Sequence, residues 1–185
     1  VPSDEPGKGA SAAALDTAVA TAKAGTSGMT GSERGTAYHR VMELLDYSVG
    51  SGEKELRVWL DGLVKKDRIA RASADCIRLR DIATFLGTDL GQRMATAFSK
   101  GQLMREKPFM MGVPASELDS KFPSEELVLV QGIIDAWFVE GDDIILLDYK
   151  TDHVRSADEL VKRYKIQLDL YKRALEAATG KKVKD

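Results

Sequence analysis

From Gly132 to Asp152 the chain reads GIIDAWFVEGDDIILLDYKTD, which places two carboxylates and a lysine where a folded hairpin would gather them. Two apolar, β-rich runs flank Gly141-Asp142, and Gly at the first turn position supplies the positive φ that a two-residue hairpin loop needs. That turn sets Glu140 against Asp143 and so brings Asp135 opposite Asp148. Directly opposed side chains have Cβ atoms ~5 Å apart. Lys150 lies two residues past Asp148 and points to the same face. Two anionic groups held this close repel, and a hard divalent cation with oxygen ligands relieves the repulsion. An adjacent lysine can orient a water or offset charge on a phosphate oxygen. The layout suits metal-assisted phosphodiester hydrolysis. An exposed hairpin face with a plain Asp–Lys ion pair is the simpler alternative, but it does not explain why charges interrupt such apolar strands.

Other side chains could join them. His39 sits on a predicted helix one turn after Gly35, whose missing side chain would let a ligand approach; a lone helix histidine can equally be a packed or surface residue. Gln167 and Tyr171, four residues apart on the last predicted helix, point inward with Tyr164 and Leu168. The glutamine either is a satisfied core amide or holds Lys150 or a bound phosphate. Glu106, among apolar residues of the preceding strand, is either an extra carboxylate for the site or an edge-strand charge that discourages aggregation.

These groups need a scaffold. Residues 1–28 read as a Pro/Gly/Ser/Ala-rich linker, with a weakly apolar stretch from Ala12 to Ala24; residues 29–185 read as one domain. Thr30 and Glu33 form a capping box for a helix from Gly31 to about Tyr47. Helical patterns follow over Glu53–Lys66, Ser73–Leu86 and Asp89–Ser99. Strands follow from about Leu103, interrupted or at an edge because of Pro108, then from about Glu126 to Val139 and from Ile144 to Lys150, with a loop around Pro114–Pro123. Ser156 and Glu159 cap a last helix that ends before Gly180. His153 falls in a loop. The order is helices, three strands, helix, which is an α+β pattern.

With 27 Lys+Arg against 29 Asp+Glu, the chain is not a strongly basic nucleic-acid binder. Basic residues gather after Lys150, Lys165 among them, either as solvated helix faces or as a phosphate-attracting surface. Cys76 is the single cysteine, which excludes an internal disulfide, a cysteine-ligated iron–sulfur cluster and a cysteine-rich zinc site. No apolar run reaches transmembrane length, and no nucleotide-binding phosphate loop or GxSxG elbow occurs.

Taken together, GTAYHRVME, GIIDAWF, LLDYKTD and QLDLY, in this order, resemble the RecB-type nuclease domain of the PD-(D/E)XK superfamily, with the AddA branch of bacterial helicase–nucleases as the closest likeness. The resemblance implies a restriction-endonuclease-like α/β/α core, a mixed sheet with a central hairpin flanked by helices. It implies Mg²⁺ or Mn²⁺ held by His39, Asp135, Asp148 and the Tyr149 carbonyl, with Asp135, Asp148, Lys150 and Gln167 catalytic. Tyr171, Gln167 and Lys165 would contact DNA, and Glu106 matches a recurrent acidic position. The four-cysteine cluster of AddB-like relatives cannot form, which favours the AddA branch. Such domains continue into a further strand, so the sheet is expected to lack its last edge strand. The implied activity is that of a DNA exonuclease or endonuclease acting on single-stranded ends, within a bacterial, cytoplasmic, nucleoid-associated machine with helicase domains and a second, AddB-like chain, for recombinational repair of double-strand breaks, away from membranes. A catalytically silent DNA-binding scaffold and a site-specific endonuclease are the competing readings.

Overall fold

The structure is a computed structural model that describes residues 28–119, 121–122, 124–150 and 157–184, the side chains of the last stretch from Arg163 onward. The expected linker, the Ala12–Ala24 stretch, His153 and the Ser156–Glu159 capping box lie outside the described residues.

Helix α1 spans Gly31–Leu44 and opens on the predicted capping box. The Thr30 hydroxyl accepts from the Glu33 N–H at 3.2 Å, and the Glu33 carboxylate accepts from the Thr30 N–H at 2.8 Å. This satisfies two of the donors that a helix start leaves free. Ala37, Val41 and Met42 form its buried stripe. Helix α2 (Glu53–Lys65) adds Leu56 and Leu60, and α4 (Leu79–Leu86) adds Leu79, Ile82 and Leu86 to the same core.

The continuous helix expected over Ser73–Leu86 is two pieces, α3 (Arg71–Asp75) and α4. Arg78 is extended at φ −86° and ψ 100°. Its N–H donates to the Tyr38 hydroxyl of α1 at 3.0 Å instead of continuing a helix. Helix α5 (Asp89–Ser99) follows immediately, and Gly91 allows the tight α4–α5 corner: a Cβ there would lie 2.2 Å from the Phe85 carbonyl oxygen.

Four strands make one mixed sheet in the order β1-β2-β3-β4: β1 (Leu103–Pro114), β2 (Leu127–Glu140), β3 (Asp143–Leu147) and β4 (Lys182–Lys184). The first three are antiparallel neighbours, and β4 pairs with β3 in parallel. β1 is an edge strand, which accommodates Pro108. The expected loop between β1 and β2 contains one helical turn, α6 (Ala115–Leu118). The Gly141 turn, at φ 63°, sets Glu140 against Asp143 as the sequence predicts.

Two expectations about the sheet are corrected. β3 ends at Leu147 rather than at Lys150. An edge strand does follow the last helix, because Val183 of β4 pairs with Ile144 and is buried against it.

Neighbouring residues of β2 face opposite layers. Ala136 and Phe138 pack with Met94 and Ala97 of α5. Trp137, with Ile144 and Leu146 of β3, packs with Tyr171 and Leu175 of α7 (Ala157–Thr179). The helix–sheet–helix layering expected from the sequence is present. Phe138 is the largest fully buried side chain, and truncating such a residue costs ~3–5 kcal/mol.

Arg105 fixes α1 to the sheet. Its Nη1 donates to the carbonyls of Leu45 (2.6 Å) and Met42 (3.4 Å), which the end of α1 leaves without helical partners. This bond explains why α1 stops at Leu44 rather than reaching Tyr47. Arg105→Met is therefore expected to lower stability by ~1.5–3 kcal/mol, since it strands two carbonyls that a charged donor had satisfied. Urea unfolding of the variant checks this; a midpoint equal to that of the parent chain would contradict it.

Candidate active site

Three elements bring their polar groups together where β1, β2 and the end of β3 meet α1. His39 stands on the groove side of α1. Its Nδ1 is 3.4 Å from Asp135 Oδ1 and 3.8 Å from Glu106 Oε1, and its Nε2 is 2.9 Å from the Tyr149 carbonyl oxygen. A carbonyl only accepts, so Nε2 carries the hydrogen and donates. In the neutral ring, the Nδ1 lone pair then faces two carboxylate oxygens. Among the described residues, one ligand atom each from His39, Glu106 and Asp135 lie within 4.8 Å of one another.

Asp135 is buried in β2, and its Oδ2 accepts from the Tyr149 N–H at 2.7 Å. That bond takes the N–H just past the β2–β3 ladder, whose last pair is Ala136 with Leu147. Here lies the physical reason that Asp148, Tyr149 and Lys150 leave the strand. Asp148 turns to Lys150, with Oδ2 and Nζ 2.7 Å apart, and its side chain is only 6% exposed. Its Oδ1 is buried with no hydrogen-bond partner among the described residues. Lys150 Nζ also donates to Gln167 Oε1 at 3.3 Å and sits 4.3 Å from the centre of the Tyr164 ring. Gln167 Nε2 in turn donates to the Tyr171 hydroxyl at 2.6 Å.

Glu106 has a left-handed backbone, φ 48°, which strains any residue with a Cβ. It interrupts the β1–β2 pairing between Arg105↔Ala136 and Lys107↔Ile134, opposite Asp135. Of the two uses the sequence left open for Glu106, its carboxylate adopts the one inside the cluster.

Electrostatics follow from burial without a counter-charge. The hydrogen bond to Asp135 holds His39 above its ordinary range, against the opposing effect of burial. Desolvation raises Glu106, and Asp135 adds to that rise. Desolvation also raises Asp148, although Lys150 pulls the other way. Behind them, burial pushes the Tyr47 hydroxyl up to about 12 and raises Tyr149 further.

The structure thus gathers His39, Glu106, Asp135, Asp148, Lys150, Gln167 and Tyr171, but in two adjoining groups rather than one ring. Asp148 stands outside the three-ligand cluster, bound to Lys150, and Glu106 stands inside it. The Tyr149 carbonyl, expected to face a metal, accepts from His39. Lys165 is not brought to the site: it pairs with Asp169 at 2.8 Å and lines a different groove with Leu146 and Val183. The sequence reading left out Tyr164 as a site residue; the signal for it was its position three residues before Gln167, on the same helical face. An open groove of about 710 Å³ leads to the cluster, lined by Gly31, Ser32, Gly35, Thr36, His39, Tyr149 and Lys150.

A nuclease family described as the PD-(D/E)XK nuclease superfamily matches residues 15–185. The chain belongs to that superfamily. PD-(D/E)XK domains use divalent metals, and the nitrogen and oxygen donors of the cluster suit one. Similar curated proteins are named as the AddA-type component of an ATP-dependent helicase/nuclease, in agreement with the resemblance. That of Clostridium kluyveri is 39% identical over 161 residues, covering 85% of this chain and 13% of the relative. That of Clostridium novyi is 36% identical over 163 residues, with 85% and 13% covered. That of Lachnoclostridium phytofermentans is 32% identical over 192 residues, with 85% and 14% covered. This PD-(D/E)XK domain therefore spans about one eighth of the length of these relatives. No helix among its described residues is long and apolar enough to cross a membrane.

Two outcomes follow for the metal-free PD-(D/E)XK domain. The folded pKa of His39 is raised, so its stabilising contribution is complete below the ordinary value of 6.5 and is lost as pH rises through the raised one. The melting-temperature advantage of the parent over His39→Asn in EDTA is expected to shrink from pH 5.5 to pH 8.5; a constant difference would contradict the assignment. Glu106→Gly is expected to raise metal-free stability by ~0.5–1 kcal/mol, because it relieves the left-handed strain and removes a desolvated carboxylate. Denaturant titration in EDTA measures it, and a loss of stability would show that φ 48° is not strained.

Proposed function

We propose that this chain is a metal-dependent DNA nuclease domain, hydrolysing phosphodiester bonds as part of a helicase–nuclease. The observation that carries the reading is the juxtaposition of an uncompensated His39–Glu106–Asp135 donor cluster with the Asp148–Lys150–Gln167 group. The superfamily supports the reaction class, and the names of the relatives support the setting.

His39, Glu106 and Asp135 would hold Mg²⁺ or Mn²⁺, and Asp148 offers its unpartnered Oδ1 as a further oxygen. The cation supplies Lewis acidity at a phosphate oxygen and makes water a better nucleophile. Lys150 stands ready to donate to a non-bridging phosphate oxygen or to the attacking water, and so offsets charge that develops during the reaction. Asp148 and Gln167 fix the ammonium, and the Tyr164 ring covers it. Tyr171 holds Gln167 from behind. The Asp135 bond to the Tyr149 N–H sets the carboxylate orientation before any ligand arrives, the kind of preorganisation that catalysis requires.

Single-stranded DNA ends fed by helicase domains, a second AddB-like chain in the same complex, the processing of double-strand breaks and a bacterial, cytoplasmic, nucleoid-associated setting complete the reading. The acidic net charge fits a domain whose DNA affinity comes largely from a larger assembly.

Mn²⁺ titration and cleavage of a labelled oligonucleotide test the site. Asp135→Ala is expected to abolish both Mn²⁺ binding and cleavage. Lys150→Ala is expected to keep Mn²⁺ binding while slowing cleavage on the order of 10²-fold or more. Cleavage that survives both changes would leave the scaffold reading standing, and strict sequence preference would favour a site-specific endonuclease.

A further inference from the structure

β1 and β2 continue together past the end of β3. β3 pairs with β2 only from Ala136 to Glu140, whereas β1 pairs with it as far as Leu127. The resulting two-stranded ribbon is unusually apolar on its surface. Met110 is 64% exposed, Ile133 51%, Leu129 62% and Leu127 71%. Soluble chains rarely leave such a cluster uncovered without a use for it.

The part of the ribbon nearest the site is a depression of about 490 Å³ lined by Pro108, Phe109, Met110, Gln131, Gly132 and Ile133. Ile133 is two residues from Asp135, ~7 Å along the strand. The walls are apolar, and Gln131 adds an amide that can both donate and accept. Gly132 lets the Phe109 ring lie across the neighbouring strand: a Cβ there would meet the ring at 2.8 Å. The ring is held edge-on by Tyr171, with centroids 5.4 Å apart at 80°. Tyr171 accepts from Gln167, and Gln167 accepts from Lys150. An unbroken string, Lys150–Gln167–Tyr171–Phe109, joins the depression to the reactive end of the site.

We propose that this depression is a nucleobase subsite, taking one unpaired base of the strand whose phosphodiester lies at Asp135. The assignment rests on the nuclease reading for what occupies Asp135. It deepens that reading by making the substrate single-stranded. An unpaired base offers an apolar face and a hydrogen-bonding edge, which match the apolar walls and the Gln131 amide; in a duplex, both are already engaged. Rigid placement of the ring through Tyr171 gives a fixed distance between this base and Lys150.

The test is binding of fluorescent oligonucleotides to the 185-residue chain in EDTA, by anisotropy, with a single abasic position moved stepwise along the strand. The parent chain is expected to prefer the single strand to the duplex. An abasic residue at one position is expected to weaken binding about tenfold, equivalent to about 1.4 kcal/mol. Met110→Ser/Ile133→Ser, at exposed positions where folding is not at stake, is expected to lose that sensitivity. Gly132→Ala, which displaces the Phe109 ring, is expected to lose it too. A flat abasic scan overturns the subsite and leaves the nuclease reading intact. Abasic-sensitive binding without Mn²⁺-dependent cleavage keeps the subsite and sinks the nuclease reading. If the double variant instead changes the sedimentation behaviour and leaves oligonucleotide binding unchanged, the patch is a protein interface and the proposal is wrong.

Discussion

A single residue's backbone holds the site together. The N–H of Tyr149 donates to Asp135 of β2, and its carbonyl accepts from His39 of α1. Where β3 stops, the peptide groups on the two sides of one α-carbon therefore clamp a sheet strand and a helix that are distant in sequence. The Tyr149 ring secures the clamp from below, packed against both the α1–α4 core and the α5–sheet core. Few residues touch two cores at once, and burial of so large a ring resists any shift of α1 relative to the hairpin. The orientations of His39 and Asp135 are consequences of this clamp rather than of their own local structure.

The charged groups stand in tension with that packing. Glu106 and Asp148 carry raised pKa values from desolvation, His39 is drawn toward protonation by Asp135, and Asp148 keeps one oxygen buried without a partner among the described residues. A fold selected for stability alone would not hold this arrangement, nor keep Glu106 at a left-handed φ. The strain is local, and apolar layers on both faces of the sheet support it. Polar continuity through Gln167 and Tyr171 lets the helix α7 share in it without bringing another charge into the core.

Much of this was legible from local chemistry. The Gly141 turn fixed the hairpin register, and the Thr30–Glu33 pair fixed the start of α1. The α/β/α layering followed from periodicity and the order of the elements. What escaped the sequence depends on contacts between distant segments. β3 ends early because a side chain of β2 takes the N–H that would come next, and the α3–α4 break depends on a hydroxyl from α1. β4 is three residues long and pairs in parallel across a whole helix, so it leaves no periodic trace. Glu106 had the right residue type, but nothing local announces a left-handed backbone at a glutamate in a strand. His39 could not be told from any packed histidine until the strands were set beside it.

Pinning α7 at both ends has a further result. Gln167 is tied to Lys150 at one end of the sheet, and Val183, just past the Gly180 stop, is tied to Ile144 at the other. The helix between them works as a ruler of fixed length. Adding or removing one residue inside it would turn one anchor ~100° away from the other, so the helix cannot keep both. Variation in chain length across this part of the molecule is thereby confined to the segments on either side of the two anchors.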